Sequence, residues 1–320
     1  MTRGDWREEG SSLVGMGSNE ERVALLALLL SKRVSWSKTV GLVLEEGGAR
    51  QALDSVMPPD DGLFPVEEEP AWQALEKARS VIAQCESMGV RVHSFQEEGY
   101  PAQLRDVHEM PPLVFTRGTA APGERRSIAI VGSRKASQYG LSMAASIARA
   151  LTEEKITVVS GLAAGVDAAA HRAALDHGGR TVGIIGTGID RVYPADNREL
   201  QQEIADKGMV LSQFLPGAPP TKQSFPMRNA VMSGYAAATI VVEAGEHSGA
   251  RIQARMALKH GRPVILPQET LVNEWARDYA QRPGVYVVRN LSELVSTVHG
   301  VLHDAEVTSD QLWEEGELVW

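Results

Sequence analysis

A single cysteine, Cys85, and only five phenylalanines occur among 320 residues. One thiol cannot close an internal disulfide, and no Cys or His set at metal-ligand spacing accompanies it, so structural zinc is excluded and a reducing, cytoplasmic setting is expected. No apolar run approaches the roughly 18 residues needed to cross a bilayer, and charged side chains precede any hydrophobic stretch in Met1 to Gly10. Neither membrane insertion nor secretion is expected. A strict dinucleotide-binding fingerprint is also missing, because the first glycine turn lacks its second and third glycines. No Gly-Lys-Ser/Thr phosphate loop occurs either. Ordinary NAD binding and P-loop nucleotide hydrolysis are disfavoured on those grounds.

The net charge of −9 argues at first against a nucleic-acid partner. Acidic residues are, however, missing from two stretches. Between Arg125 and Thr152 there is no Asp or Glu, while Arg125, Arg126, Arg134, Lys135 and Arg149 are present. Between Lys207 and Val242 the charges are Lys207, Lys222 and Arg228 alone. The acids cluster elsewhere, at 67–69, 97–98 and 314–317.

What is present reads as an α/β chain. Residues 1–56 form a small helical N-terminal domain, with Val23 to Leu30 as a buried helix, Gly47-Gly48 as a stop, and the character of a lid or adaptor. Residues 57–70 have linker chemistry: Pro58-Pro59, Asp60-Asp61-Gly62 and an acidic triplet. Residues 71–303 read as an extended Rossmann-like domain, and 304–320 as an acidic tail. Within 127–267, a wholly apolar strand at 128–131 and predominantly apolar strands at 157–160, 181–185, 209–212, 239–243 and 263–266 alternate with amphipathic helices at 139–154, 168–176, 199–207, 229–236 and 249–260. Such alternation predicts a doubly wound, mostly parallel sheet covered on both faces. A last strand at 285–288 and a helix at 292–301 follow.

In such sheets ligands sit beyond the carboxyl ends of the strands. Those positions here are rich in glycine: Gly132-Ser133-Arg134 after the first strand, the turn from Gly161 to Gly165 after the second, and Gly186-Thr187-Gly188 after the third. Glycines let backbone approach a phosphate, and the helix that follows offers free amides and a positive dipole end. Arg134, a guanidinium just past a buried strand, is placed to hold a phosphate bidentately. Asp167 and His171, four apart at a helix start, have the spacing of an acid/base pair. A carboxylate near a helix N-terminus and a packed histidine is the preferred reading.

Four motifs in order, Ile130-Val-Gly-Ser-Arg134, Ser160 to His171, Gly186 to Pro194 with Asn197, and Phe225-Pro-Met-Arg-Asn229, resemble the DprA/Smf DNA-processing family over about residues 95–267. The resemblance implies an extended Rossmann fold, a homodimer, and single-stranded DNA as the ligand. It further implies delivery of that DNA to a RecA-type recombinase in transformation or recombination, with no catalytic residues, no metal and no cofactor. Carried over by position, it makes Gly132, Ser133 and Arg134, with Gly161 and Gly186, phosphate-binding turns. Arg191, Lys222, Phe225, Arg228 and Asn229 become further contributors to a DNA groove. An apolar surplus around Tyr235 to Val242 is expected to serve the dimer.

Three departures stand out. Ala230 replaces an arginine that commonly follows Arg-Asn in the family, and Pro267-Gln-Glu-Thr270 with Trp275 and Tyr279 replaces a Gly/Ser-rich segment. The roughly twenty residues beyond Gly300 leave no room for a winged-helix unit in this sequence. The alternative is an enzyme, a nucleotide phosphoribohydrolase of the lysine-decarboxylase-like group. Arg134 would then hold the phosphate of a nucleoside monophosphate while Glu243 or Glu246 assists glycosidic cleavage. The strict Pro-Gly-Gly-x-Gly-Thr-x-x-Glu turn of that group is absent from 243–251. A non-catalytic nucleotide sensor is the other alternative.

Overall fold

The computed structural model describes residues 19–57, 70–121, 124–246 and 248–315, with side chains to Glu306. The expected linker lies outside the described residues except for Met57 and Pro70.

Helix α1 (Asn19–Ser31) carries a run in which every residue from Val23 to Leu29 is buried. A helix apolar on all sides needs partners on all sides. It finds them in α2 (Trp36–Glu45), α3 (Ala49–Val56) and α4 (Ala71–Ser87). Gly47-Gly48 does stop α2, but α3 follows at once. Helix α4 buries Ala74, Leu75, Ala78, Ile82 and Cys85. Burial pushes the Cys85 thiol up to about 11, so it stays protonated and unreactive at neutral pH.

The strands are β1 (Arg91–Ser94), β2 (Leu113–Gly118), β3 (Ser127–Val131), β4 (Thr157–Ser160), β5 (Thr181–Ile184), β6 (Met209–Ser212), β7 (Ala238–Val241), β8 (Val264–Pro267) and β9 (Val285–Val288). They form one nine-stranded sheet among the described residues, in the order β1-β2-β6-β5-β4-β3-β7-β8-β9. From β6 across to β9 all pairings are parallel, and β2 and β1 add an antiparallel edge. Strands β3 to β8 are buried at every position, which is why they read as predominantly apolar runs broken only by small hydroxyl residues.

Helices α5 (Gln138–Glu153), α6 (Val166–Asp176), α7 (Arg198–Lys207), α8 (Ser224–Tyr235), α9 (Gly249–Lys259), α10 (Glu274–Ala280) and α11 (Leu291–Glu315) connect and cover the strands. The face under α5, α6 and α11 has its own core, built around Ile128, Ile130, Ile147, Leu151, Ile240 and Val298. The opposite face shares a core with the N-terminal helices. The chain winds outward from β3 through β4, β5 and β6, then returns to the far side of β3 for β7. The switch in direction lies between β3 and β7.

The structure departs from the sequence expectations in four places. Helix α8 begins at Ser224 rather than at 229, because Pro226 falls in its first turn, where the ring costs no hydrogen bond. The segment read as divergent holds α10, whose Trp275 and Tyr279 are buried and meet edge to face at 5.4 Å. The backbone of α11 runs to Glu315, through most of the expected tail. Finally, Tyr235 to Val242 is wholly buried within one chain, so that segment offers no face to a second copy.

The helical unit is fastened to the sheet edge by Glu97, which is nine-tenths buried. It accepts from Arg22 Nε and Nη2 at 2.9 and 2.6 Å and from the Ser94 amide at 2.9 Å. Glu97→Ala leaves a largely buried guanidinium and an amide without an acceptor, and is expected to lower stability by about 2–4 kcal/mol. Urea denaturation followed by circular dichroism measures it. A loss below about 0.5 kcal/mol, the level of an exposed ion pair, contradicts this role.

Candidate functional site

Past Val131 the chain turns through Gly132, where an added Cβ would lie 2.5 Å from Val166 Cγ2 and 3.0 Å from the Glu243 carbonyl oxygen. Only glycine fits so close an approach. The Ser133 amide donates to that Glu243 carbonyl at 2.6 Å, and the Ser133 carbonyl accepts from the Val166 amide at 3.2 Å. Arg134 and Lys135 thereby emerge, both exposed, from a turn pinned to β7 and α6.

Beside this turn, at the β3/β7 switch point, opens a cleft of about 710 Å³. It is lined by Arg134, Lys135, Lys222 and Arg228 on the basic side, with Asn229, Phe225, and the N-terminus of α9 at Ser248-Gly249-Ala250. Ser248 caps α9, its hydroxyl accepting from the Ala250 amide at 3.2 Å. Among the described residues the one carboxylate lining the cleft is Asp167. A smaller extension of about 90 Å³ reaches Gly161, Gly186, Thr187 and Tyr193.

Asp167 is buried and faces inward. It accepts from the amides of Gly161 at 3.2 Å and Ala163 at 3.3 Å, bracing the turn after β4. Burial pushes its carboxyl above the usual range, against the opposing pull of Arg228 and the two amides. Arg228 is itself buried, with Nη1 donating to the Ile184 carbonyl at 3.1 Å. Burial lowers its pKa, Asp167 opposes the shift, and Arg134 adds to it. An added Cβ at Gly161 would overlap the Arg228 guanidinium at 1.4 Å, so that glycine makes room for the arginine. Gly186 does the same for Phe225, whose ring edge would meet a Cβ there at 3.0 Å. Phe225 is half-buried, lies 5.7 Å from Tyr193 at a tilt of 42°, and has the Arg134 guanidinium 5.0 Å from its ring centre.

Gly132, Ser133, Arg134, Lys222, Phe225, Arg228 and Asn229 therefore come together around the cleft, with Gly161 and Gly186 under its extension. Arg191 does not join them. It is exposed on the loop after β5, its carbonyl holding Gln201 Nε2 at 2.9 Å, and it lines neither space. Lys135, Tyr193 and Ser248 belong to the site without having been singled out. The Ser-Gly start of an amphipathic helix was the available signal for Ser248. Ala230 lines a different cavity on the other side of α8, so the absent arginine would not have faced the cleft.

Neither acid of the enzymatic alternative is free. The Glu243 carboxylate accepts from the Ser137 amide at 3.1 Å and from its hydroxyl at 2.5 Å, securing the start of α5. Glu246 accepts from the Glu274 amide at 2.8 Å at the start of α10. A chain from Ser233 Oγ to His260 Nδ1 at 2.8 Å, and from His260 Nε2 to Glu109 at 2.8 Å, has the outline of a nucleophile relay. Ser233 is wholly buried and donates to the Ala230 carbonyl, so the chain ties α8 and α9 to the 102–110 segment.

His171 is likewise structural. Thr181 gives its hydroxyl proton to the Val158 carbonyl at 2.8 Å, so His171 Nδ1 donates to Thr181 Oγ1 at 2.7 Å. Burial lowers its pKa from 6.5 to about 3. The folded pKa is the lower one, so the unfolded chain takes up the proton first on acidification. The contribution of His171 is complete above pH 6.5 and is lost as pH falls toward 3, at about 1.4 kcal/mol per pH unit. Compared with His171→Gln, the wild type should thus lose about 2 kcal/mol of relative stability between pH 8 and 5, read from urea midpoints. A pH-independent difference would show that the ring is not held neutral.

The model of the family described as DNA recombination-mediator protein A matches residues 91–305. DNA processing protein DprA of Streptococcus pneumoniae is 39% identical over 172 residues, 54% of this chain and 61% of that protein. Protein Smf of Synechocystis is 38% identical over 180 residues, 55% of this chain and 45% of that protein. The matches thus span roughly half of these relatives, of which the Streptococcus pneumoniae protein is named for DNA processing. The X-ray structure of the Streptococcus pneumoniae protein superposes with a TM-score of 0.69 at 28% identity, over 86% of this chain and 97% of that one. DNA processing protein A of Helicobacter pylori, a protein described with a single-stranded DNA binding mode, shares the fold at a TM-score of 0.58 and 24% identity, over 67% and 96%.

Proposed function

The chain belongs to the DNA recombination-mediator protein A family, and from that premise we propose that it binds single-stranded DNA in the cleft at the β3/β7 switch point and performs no catalysis there. The observation that carries the reading is the cleft lining: four basic side chains against one carboxylate already engaged with backbone amides. Arg134, Lys135 and Lys222 supply phosphate contacts, Arg228 a fixed positive charge beneath them, and the α9 N-terminus the positive end of its dipole. Phe225 and Tyr193, tilted against each other and partly exposed, supply faces on which unpaired bases stack without regard to sequence. Paired bases cannot reach such faces, so a single strand is preferred over a duplex. The Helicobacter pylori protein is likewise described with a single-stranded DNA binding mode.

Hand-over of the bound strand to a RecA-type recombinase, and action as a homodimer, complete the proposal. The family's description as recombination mediators supports the first. The resemblance alone supports the second, since Tyr235 to Val242 is internal.

Arg134→Ala should weaken binding of an oligo-dT strand about tenfold to a hundredfold, the loss of one charged, bidentate contact of about 1.5–3 kcal/mol. It should also reduce the slope of log affinity against log salt by about 0.7. Lys222→Ala should act in the same sense more weakly, as a mobile point charge, and Arg191→Ala less again because it lies outside the cleft. Anisotropy titrations of single- and double-stranded oligonucleotides over a salt series measure all three. Wild-type affinity and slope in Arg134→Ala would remove the cleft from consideration, and base release from AMP would restore the enzymatic alternative.

A further inference from the structure

At the opposite end of the same strands lies a second basic recess. Arg125 and Arg126 immediately precede β3, Tyr235 to Ala237 precede β7, and Arg262 precedes β8; with Gln103 and the α11 residues Leu302, Ala305 and Glu306 they enclose about 260 Å³. The recess is at the amino ends of the strands, whereas the cleft is at their carboxyl ends. The two share no residue.

Three guanidiniums here meet two carboxylates. Asp106 takes both Arg125 at 3.2 Å and Arg262 at 3.0 Å, and Glu306 takes Arg126 at 2.9 Å. Glu124, next along the chain, is turned away from them, engaged by Arg180 and by the Tyr235 hydroxyl. One aspartate shared by two arginines leaves a positive charge without a carboxylate of its own among the described residues. Arg262 is the least exposed of the three, and its Nε is buried with no acceptor among the described residues. A buried, charged donor with nothing to receive it is costly. The recess also falls below the roughly 300–1,000 Å³ usual for drug-sized ligands, which favours a small anion over a whole nucleotide.

We infer that this recess binds a phosphate group, either free inorganic phosphate or the phosphate of a small monoester, through Arg125, Arg126 and Arg262. Tetrahedral oxygens can accept from several guanidinium forks at once, which a single carboxylate cannot do for three arginines. The site does not depend on the DNA-binding reading, because it uses none of the residues of the cleft.

Isothermal titration of the full chain in chloride buffer with inorganic phosphate, and separately with glycerol 3-phosphate, tests the assignment. Arg134→Ala, which weakens the cleft, should retain a phosphate site of wild-type affinity in this recess. Arg262→Gln and Arg126→Gln should bind about tenfold or more weakly, with unchanged circular dichroism. Arg125→Gln, at the most exposed of the three positions, provides the comparison if Arg262→Gln does not fold. Binding of both probes identifies a site for a phosphate monoester, and binding of phosphate alone a site for the free ion. Absence of binding by the wild type overturns the inference. Loss in Arg134→Ala with retention in Arg262→Gln would also overturn it, by placing the anion in the cleft.

Discussion

Glu243 joins the two strand ends on which the rest of the site depends. Its carbonyl takes the Ser133 amide, and its carboxylate takes the Ser137 amide and hydroxyl at the head of α5. The first bond closes the gap between β3 and β7 so tightly that Gly132 has no room for a side chain. The second fixes where α5 begins, and with it the length of loop from which Arg134 and Lys135 project. A switch point supplies a crevice in any doubly wound sheet. What makes this one specific is that a single residue holds both of its lips.

The same use of acids recurs around the cleft. Asp167 braces the turn after β4 through two amides, and Glu246 receives the amide of Glu274. Carboxylates in this region bond to backbone, while Arg134, Lys135 and Lys222 nearby are left facing open space. A chain of net charge −9 can in this way carry a locally positive recess, because the field at a concave surface is set by the charges lining it and not by the total.

The inner strands were legible in the sequence because a parallel strand covered on both faces is predominantly apolar, and β4 and β6 fall at the expected residues, as does the half-exposed edge strand β9. The first turn of α8 was not legible, since Pro226 reads locally as a break although the N-terminal turn tolerates it. Helix α10 was hidden for a different reason. Its anchor is distant in sequence: Trp275 Nε1 donates to the Ala244 carbonyl at 2.9 Å. Position in a motif placed Arg134, Phe225 and Arg228 correctly around one space but carried Arg191 along with them, because a motif records order along the chain and not the direction a side chain takes. The structural duties of Glu243 and Glu246 depend on contacts made 106 and 28 residues away, which no local pattern encodes.

Arg228 supports the proposal that the cleft takes an anion and is not merely a positively charged hollow. It is buried, its Nε has no acceptor among the described residues, and burial already draws its pKa down. A guanidinium rarely persists in that state unless its surroundings restore part of what water supplied. Asp167 restores some, but its carboxylate is shared with two amides and is itself pushed toward protonation. The remaining imbalance faces Arg134 and Phe225 across the floor of the cleft. An anion seated above Arg134 relieves the repulsion between the two arginines and strengthens the hold of each. On the proposed reading, a phosphate supplies the acceptor that the unpartnered Arg228 Nε and the exposed Arg134 have in common.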